Sequence, residues 1–444
     1  MVRVVLLSAV VAWPGTVVAQ TGAPVQTLTL DQAVHEALAA NPTVRAARAG
    51  ADAASAGVTA ARAALFPRLS FSEQWQRGDQ PIFVFSTLLA SRRFAASNFA
   101  IDTLNHPDAL GAFHATAAIE HLLFDGGARR ASIAGERARV ATANADVRET
   151  MHAIRASVVE IYGQLLSAQA MSRASLAALD AGREDLARAT RRRDAGLATD
   201  ADVLALAVHV ADMEQRVIQA TGDAAIARAH LNRMTGASIE RVVDAVEPAD
   251  PPEMTTLDMQ ALFAEASANR PEIARAAAMQ DAADSARRVA RSAFVPTIAA
   301  QAAVDVAGTR IADRASSWLI GGEVRWALSV GGAERAGLKA ATASLVRARA
   351  DADDVRARVE VEVVTAVERL KAARARQAVG REAVAQARES QRIVRDRYDA
   401  GLAPVNDVLR AATAVLDADT QRISALVDAI TAHAQLNRAV GREE

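Results

Sequence analysis

The stretch Arg191-Arg-Arg-Asp-Ala-Gly-Leu-Ala-Thr-Asp-Ala-Asp-Val-Leu204 occurs a second time as Asp396-Arg-Tyr-Asp-Ala-Gly-Leu-Ala-Pro-Val-Asn-Asp-Val-Leu409. Both copies contain Ala-Gly-Leu-Ala and then, in the same register, Asp-Val-Leu. Long alanine-rich segments run into and out of each copy. Because glycine readily ends a helix and Thr, Asp or Asn can cap the next one, each copy predicts a tight turn at the tip of a long helical hairpin.

The duplication extends over most of the chain, because further landmarks recur at a fixed spacing. Pro42 matches Pro271 and Pro67 matches Pro296, at an offset of about 229 residues. Farther along, the offset is about 205 residues and stays constant. The landmarks at this second offset are Gly126 and Gly331, Gly196 and Gly401, Asn232 and Asn437, and Gly236 and Gly441. The first copy is therefore longer by about 24 residues between Pro67 and Gly126.

Each half is predicted to contain a helix, a β-hairpin and a long helical hairpin, in that order. The first half is divided into 20–67 with a helix, 68–125 as a β-hairpin with a long loop at 78–111, and 126–236 as a helical hairpin with its tip near 195–202. The second half is divided into 257–296 with a helix, 297–330 as a β-hairpin, and 331–441 as a helical hairpin with its tip near 400–407. An irregular linker is predicted at 237–256.

The long helices are predicted to be coiled coils. Apolar residues recur at heptad spacing along the first of them, at Ile133, Val140, Val147, Ile154 and Ile161. A helix from Ala128 to Ala195 would extend about 100 Å. A hairpin of that length has no globular core of its own, so we expect it to pack side by side with other hairpins.

Four segments alternate apolar and polar residues, which is typical of strands with one apolar face. They are Arg68–Arg77, Ala112–Phe124, Thr297–Ala307 and Ser317–Ser329. The first is the poorest, because Glu73 shares a face with apolar residues. Trp318 and Trp326 would lie about 26 Å apart along an extended strand, roughly the spacing of the two aromatic girdles of an outer-membrane barrel. Trp75, Trp318 and Trp326 are therefore predicted to be membrane-interface aromatic residues.

Four strands are too few to close such a barrel, since the smallest ones have about eight. An open sheet edge cannot face lipid, because its backbone groups would lack hydrogen-bond partners. If these strands span a membrane, several chains must share one barrel. The alternative is a soluble sheet of two hairpins attached to a helical protein.

Composition and the first residues indicate an exported protein. The chain has 444 residues, a net charge of -1 and no cysteine, which argues against nucleic acid as a partner and excludes disulfides and thiolate metal sites. Arg3, the apolar run from Val4 to Ala12 and Val17-Val-Ala19 resemble a signal peptide, predicted at 1–19. The alternative, a membrane anchor, is disfavoured because the apolar run is too short to span a bilayer.

No enzyme site is predicted. Gly331-Gly-Ala-Glu-Arg-Ala-Gly337-Leu-Lys339 differs from a phosphate-binding loop, because Leu338 separates Gly from Lys and neither Ser nor Thr follows. His106, His114 and His121 lie in a loop and on both faces of one strand, so they do not converge as metal ligands must. We expect no cofactor and no bound metal.

Three motifs carry a resemblance to the TolC family of outer-membrane efflux and secretion ducts. They are Leu28-Thr-Leu-Asp-Gln-Ala-Val34 with Ala40-Asn-Pro42, Leu123-Phe-Asp-Gly-Gly127 before a long helix, and the duplicated turn. The resemblance covers essentially the whole mature chain. It implies a mostly α chain with a small β part, in a homotrimer whose twelve strands form one β-barrel and whose twelve helices form a long periplasmic tube. The loop at 78–111 would then be extracellular and 20–67 would belong to an equatorial segment.

The resemblance implies the exit duct of a tripartite efflux or type I secretion system in the outer membrane. Its partners would be membrane lipid, a periplasmic adaptor protein and an inner-membrane pump, and its cargo small molecules (drugs, toxic compounds, metal ions) or proteins. The alternative is a periplasmic coiled-coil adaptor or scaffold without a pore. Such a protein would not need strands with an apolar face flanked by tryptophans.

The resemblance also assigns roles to residues of the two turns. The adaptor-contacting tips would be Gly196, Leu197, Gly401 and Leu402. The periplasmic gate would contain Asp202 and Tyr398 as a contact between helices, and Asp407 as one member of a ring of three carboxylates. Some family members carry a second Asp where this chain has Arg410, which would offset the charge of that ring. For Asp202 and Asp407, capping of a helix N-terminus is an alternative role.

Overall fold

The computed structural model describes residues 26–248 and 258–442. The predicted signal peptide, 1–19, and the end of the predicted linker lie outside these residues. Within the described part of the chain, no helix is both long enough and apolar enough to cross a membrane.

The fold is mostly α with a small β part, as predicted. Its helices are α1 (Leu30–Ala40), α2 (Pro42–Ala63), α3 (Pro81–Ala90), α4 (Ile101–Asn105), α5 (Ala128–Asp194), α6 (Asp200–Thr235), α7 (Met259–Asn269), α8 (Pro271–Ser292), α9 (Ala333–Asp399) and α10 (Val405–Val440). Its strands are β1 (Gln26–Leu28), β2 (Arg68–Gly78), β3 (Leu110–Phe124), β4 (Val243–Ala245), β5 (Thr297–Arg310) and β6 (Asp313–Arg325). A short 3-10 helix, Ala96–Phe99, lies between α3 and α4.

The internal duplication is visible in the lengths of matched helices. Helices α5 and α9 both have 67 residues, and α6 and α10 both have 36. Helices α2 and α8 both have 22 residues, and α1 and α7 both have 11. Glycines in the left-handed region match as well: φ is +73° at Gly196 and +74° at Gly401. Apart from α3, α4 and the 3-10 helix, which occur in the first repeat only, the two repeats therefore have the same succession of helices and matching tip turns.

The four longer strands form one antiparallel sheet in the order β2-β3-β5-β6. Its register aligns the apolar faces, because Phe71, Ala117, Val304 and Trp318 lie opposite one another across all four strands. The neighbouring polar row consists of Ser72, Thr116, Asp305 and Ser317. We call these two sides the apolar face and the polar face. Strands β2 and β6 are the edges of this sheet in one chain.

Three segments differ from the sequence-based prediction. The predicted linker at 237–256 contains β4, which pairs in parallel with β1. The predicted loop at 78–111 contains α3, the 3-10 helix and α4. The last predicted strand ends at Arg325 rather than Ser329, so Trp326 lies one residue beyond it. The reason is that Arg325 pairs with Thr297, the first residue of β5, and Pro296 before it has no N–H to extend the ladder.

The described residues fall into two compact units. The first consists of 26–39, 157–248 and 373–431, and the second of 40–156, 258–372 and 432–442. Both tip turns and the β1–β4 pair belong to the first unit, and the four-stranded sheet belongs to the second.

In the first unit, side chains of α5 and α6 hold the β1–β4 pair. The Tyr162 hydroxyl lies 2.8 Å from the carbonyl oxygen of Leu28 and 2.7 Å from that of Val246, and it accepts the N–H of Val246 at 2.9 Å. Gln169 donates to Asp244 at 2.7 Å, and Arg228 donates to the carbonyl of Val243 at 2.7 Å. Burial raises the pKa of Tyr162 to about 12.

In the second unit, a buried arginine joins three helices. Arg270, at the junction of α7 and α8, has 4% of its side chain exposed. It donates to Glu272 at 2.8 Å, to Glu362 of α9 at 2.6 Å, and to the carbonyl of Arg438 of α10 at 3.2 Å. Charged partners on each side compensate for the burial of this guanidinium, since an unpaired buried charge would be costly.

The hydroxyl of Tyr162 offers a direct test of this packing. Tyr162→Phe should lower the free energy of unfolding by about 1–3 kcal/mol, because the backbone groups of Val246 and of the buried Leu28 lose the hydroxyl as a hydrogen-bond partner. Since the folded-state pKa of about 12 lies above the ordinary value of 10.0, the wild-type protein should lose stability as the pH rises from 10 to 12. The variant should lack that part of the alkaline loss.

Thermal unfolding in detergent, at neutral pH and through this alkaline range, measures both effects. Tyr398→Phe is the matched control at neutral pH, because the buried hydroxyl of Tyr398 has no hydrogen-bond partner in the described structure. Equal melting temperatures for the two variants would contradict the role given to Tyr162.

Candidate functional site at the helical tips

The two tip turns have the same backbone. Helix α5 ends at Asp194 and α9 at Asp399, and each is followed by a glycine with positive φ. The N–H of Leu197 donates to the carbonyl of Arg192 at 2.8 Å, and the N–H of Leu402 donates to that of Arg397 at 2.8 Å. This is a Schellman closure, which needs a residue in the left-handed region and so favours glycine. The side chains of Leu197 and Leu402 are 69% and 70% exposed.

The turns differ at the next helix start. Thr199 caps α6 in a capping box: its hydroxyl accepts the N–H of Asp202 at 3.2 Å, and the Asp202 carboxylate accepts the N–H of Thr199 at 3.0 Å. In the second copy Pro404 stands where Thr199 stands in the first, and proline offers neither a hydroxyl nor an N–H. Asp202 therefore belongs to the N-terminal cap of α6, which is the alternative role that the sequence left open.

Asp407, the equivalent of Asp202, is paired differently. Its carboxylate lies 3.7 Å from a guanidinium nitrogen of Arg410, with side-chain exposures of 44% and 83%. The first repeat has Ala205 at the position of Arg410, so only the second repeat carries this pair. An exposed pair at this distance is worth about 0–1 kcal/mol, so its main effect is on local charge.

The structure does not join Asp202 and Tyr398 by a hydrogen bond. The ring of Tyr398 packs against a buried cluster of Ala189, Leu206 and Val405, and its hydroxyl is buried without a hydrogen-bond partner among the described residues. Burial, followed by the negative charge of Asp202, raises the pKa of Tyr398. Asp202 therefore acts on Tyr398 through its charge, without a hydrogen bond.

A set of ion pairs between α5 and α9 was missed by the sequence analysis. Arg188 donates to the Asp399 carboxylate at 3.0 Å, and Arg192 donates to the Asp399 carbonyl at 2.7 Å. Arg395 donates to Asp185 at 2.9 Å. We call these five residues the tip clamp. The guanidinium of Arg192 also lies over the ring of Tyr398, 5.3 Å from its centroid.

A signal for the tip clamp was present in the differences between the repeats. The equivalent of Asp185 is Ser390, and the equivalent of Arg395 is Thr190. Each partner of the Asp185–Arg395 pair therefore occurs in one repeat only. Positions where a duplicated sequence loses its symmetry point to contacts made between the two copies.

A cavity of about 420 Å³ lies beside the tip clamp, among α5, α6, α9 and α10. Small residues of α5, such as Ala178 and Gly182, line one side, and Arg388 and Asp419 contribute charge. His209 of α6 also lines it, and burial lowers its pKa although the charges of Asp212 and Asp185 oppose the shift. His209 is therefore neutral at neutral pH.

The predicted interface aromatics are all exposed. Trp75 and Trp318 lie on the apolar face of the sheet, and Trp326 follows the end of β6. The ring of Trp75 stacks on Phe113 of the neighbouring strand at 6.2 Å. Across the described residues, no group of three or more His, Asp or Glu side chains is placed to hold a metal ion.

Known proteins resemble this chain over more than nine tenths of its length. The sequence profile of the family described as outer membrane efflux protein matches residues 33–237 and 262–442. The outer membrane efflux protein BepC of Brucella suis biovar 1 (strain 1330) is 25% identical over 447 residues, which cover 98% of this chain and 90% of BepC. The outer membrane protein VceC of Vibrio cholerae has a similar structure, with a TM-score of 0.75 and 21% identity over 93% of this chain and 96% of VceC. The CmeC outer membrane channel of Campylobacter jejuni gives a TM-score of 0.79 and 16% identity over 93% of this chain and 85% of CmeC.

The family and the fold are those of channels rather than of enzymes, and a pore-less adaptor or scaffold is not favoured. The family match includes both tip turns and both repeats. The chain belongs to the outer membrane efflux protein family and is an efflux exit duct of the outer membrane, with long helices in the periplasm.

Proposed function

We propose that the duct is a homotrimer that works in a tripartite efflux or type I secretion system. The observation that carries this proposal is the open sheet β2-β3-β5-β6, whose apolar face continues across all four strands. Lipid cannot satisfy the backbone groups of the two edge strands. Three copies would supply twelve strands, enough for a closed barrel.

The tip turns are the proposed docking site of a periplasmic adaptor protein, which links the duct to an inner-membrane pump. Leu197 and Leu402 support this role, because two exposed leucines on rigid turns can be buried by a partner. Gly196 and Gly401 contribute the turn geometry that presents them. The cargo, small molecules or proteins, would pass through a wide, watery lumen.

The tip clamp, with Asp202 and Tyr398, is the proposed periplasmic gate. It links the long helices of the two repeats through charged groups, in addition to the apolar cluster of Ala189, Leu206 and Val405. Contacts of this kind are individually weak, so an equilibrium between closed and open tips is accessible.

Electron microscopy of detergent-extracted particles tests the assembly. We expect three-fold particles with one hollow tube, about 140 Å long when helix length and barrel height are added. Monomeric or rod-like particles without a barrel would contradict the proposal.

Weakening the tip clamp should open the channel. Asp185→Asn and Arg192→Gln each remove a charge that joins α5 to α9, and each should raise single-channel conductance or open probability in lipid bilayers by about fivefold, the factor for about 1 kcal/mol. Asp212→Asn is the matched control, because Asp212 pairs with Arg216 on its own helix. Unchanged conductance in both clamp variants would remove these residues from the gate.

Two substitutions of Tyr398 separate its ring from its hydroxyl. Tyr398→Phe should leave conductance unchanged, since the hydroxyl has no hydrogen-bond partner in the described structure. Tyr398→Ala should raise conductance several-fold, because Arg192 and the cluster of Leu206 and Val405 lose the ring. A Phe variant as open as the Ala variant would show that the hydroxyl, through Asp202, holds the gate.

Arg410 should control ion selectivity. Arg410→Gln leaves the carboxylate of Asp407 unpaired in each of three chains, so the preference for cations should increase. Asp407→Asn should decrease it, and Arg410→Lys is the charge-conserving control. The reversal potential in a salt gradient measures the change, and equal potentials for all variants would exclude a carboxylate ring at the constriction.

A further inference from the structure

The segment between β2 and β3 folds over one side of the sheet. We call residues 81–105 the lid; it comprises α3, the 3-10 helix and α4. The lid is folded rather than extended. Phe94 packs edge-on against Phe85 and Phe99, with ring centroids 4.6 and 5.1 Å apart, and Val84 is buried.

The lid lies on the polar face of the sheet. Side chains alternate along strands, so Ala307 shares the face of Asp305, and Ala112 shares the face of Thr116. Arg93 of the lid donates to the hydroxyl of Thr309 at 2.5 Å. Ala307 and Ala112 are both 5% exposed, although most of the sheet is open.

A fourth contact agrees with this placement. Gly78 lies on the same face as Ser72, and a Cβ built on Gly78 would lie 3.9 Å from the ring of Phe83. The lid therefore meets the sheet near the end of β2 and the start of β3, which adjoin it in sequence, and near the turn that joins β5 to β6.

An unusual backbone conformation holds the lid in place. Arg92 has φ +56°, and within the described ranges it is the only residue other than glycine with positive φ. It follows the C-terminus of α3, where the N–H of Arg93 donates to the carbonyl of Leu88 at 2.9 Å. Glycine is the residue that favours this closure, because a Cβ in the left-handed region is strained.

The side chain of Arg92 explains why an arginine stands there. Its guanidinium donates to the carbonyl of Ser316 in β6 at 3.0 Å. A glycine at position 92 would suit the positive φ but would lack the guanidinium that donates to Ser316. Arg92 and Arg93 thus fix the lid to β6 and β5, the strands farthest from it along the chain.

We infer that the lid narrows the extracellular end of the lumen, as a constriction separate from the tip turns. This rests on the proposed trimeric barrel, in which the polar face lines the lumen and the apolar face meets lipid. Three lids then project into one lumen. The most exposed apolar residues of the lid, Ile82 and Ile101, would then be available for contact with the same segment of the other two copies.

The absence of cysteine allows a test that does not depend on the periplasmic gate. Gln301→Cys places a thiol on the polar face, about 20 Å along β5 from Ala307. Intact cells are treated with membrane-impermeant maleimides of increasing size. Bulky reagents cannot cross the outer membrane, so they reach this thiol only past the lid.

Two further substitutions, each combined with Gln301→Cys, release the lid from opposite sides. Arg92→Gly favours the helix end and removes the anchor, and Thr309→Val removes the hydroxyl without changing the lid. Each should speed labelling by a bulky reagent about fivefold, the factor for a contact of about 1 kcal/mol. Thr309→Ser keeps the hydroxyl and should label at the original rate. Replacing 81–105 by a short Gly-Ser linker sets the upper limit.

A second thiol separates failure of the lid from failure of the barrel. Ile311 lies in the exposed turn between β5 and β6, so Ile311→Cys should label from outside in every background. No labelling of Ile311→Cys would contradict the proposed barrel topology. If Ile311→Cys is labelled and the labelling rate of Gln301→Cys is the same in all the lid variants, the inferred constriction by the lid is wrong, whereas the proposed barrel is not contradicted.

Discussion

The backbone N–H and C=O groups along the two outer edges of the four-stranded sheet need hydrogen-bond partners, and this need constrains the rest of the protein. Within the described part of a single chain, strands β2 and β6 each pair with another strand on one side only. A face that carries Phe71 and Trp318 in one row across the four strands suits lipid, and lipid offers no hydrogen bonds. The helices of 67 residues also need partners, because one hairpin cannot bury the apolar stripes of such long helices by itself. The proposed homotrimer would supply partners for both features.

The two repeats share one backbone framework but differ in the side chains of their tip turns. The backbones of the two tip turns coincide in length, glycine position and helix ending. Their side chains differ. In the first turn Thr199 forms a capping box with Asp202; in the second turn Pro404 cannot form one, and Asp407 lies beside Arg410 instead. A shared framework with different polar groups allows each turn a separate role in docking and closure without altering the fold.

Most of the fold could be predicted because it depends on local patterns. Heptads, period-two alternation and glycine turns located the long helices, the four longer strands and both tips. The exceptions have a common cause. Strand β4 is three residues long and exists because β1, Tyr162 and Gln169 lie beside it. The end of β6 is decided by where its partner β5 begins, which no pattern within β6 records.

The sequence by itself determined the duplication, the helical hairpins, the membrane-facing character of the strands and the position of the tips, because these follow from periodicity and turn chemistry among neighbours in the chain. Only the tertiary structure decided how the charged side chains are used. It assigned Asp202 to its own cap, built the tip clamp from residues more than two hundred positions apart, and folded the lid onto the polar face. Contacts over such separations depend on how the elements pack, and local sequence carries no record of that packing.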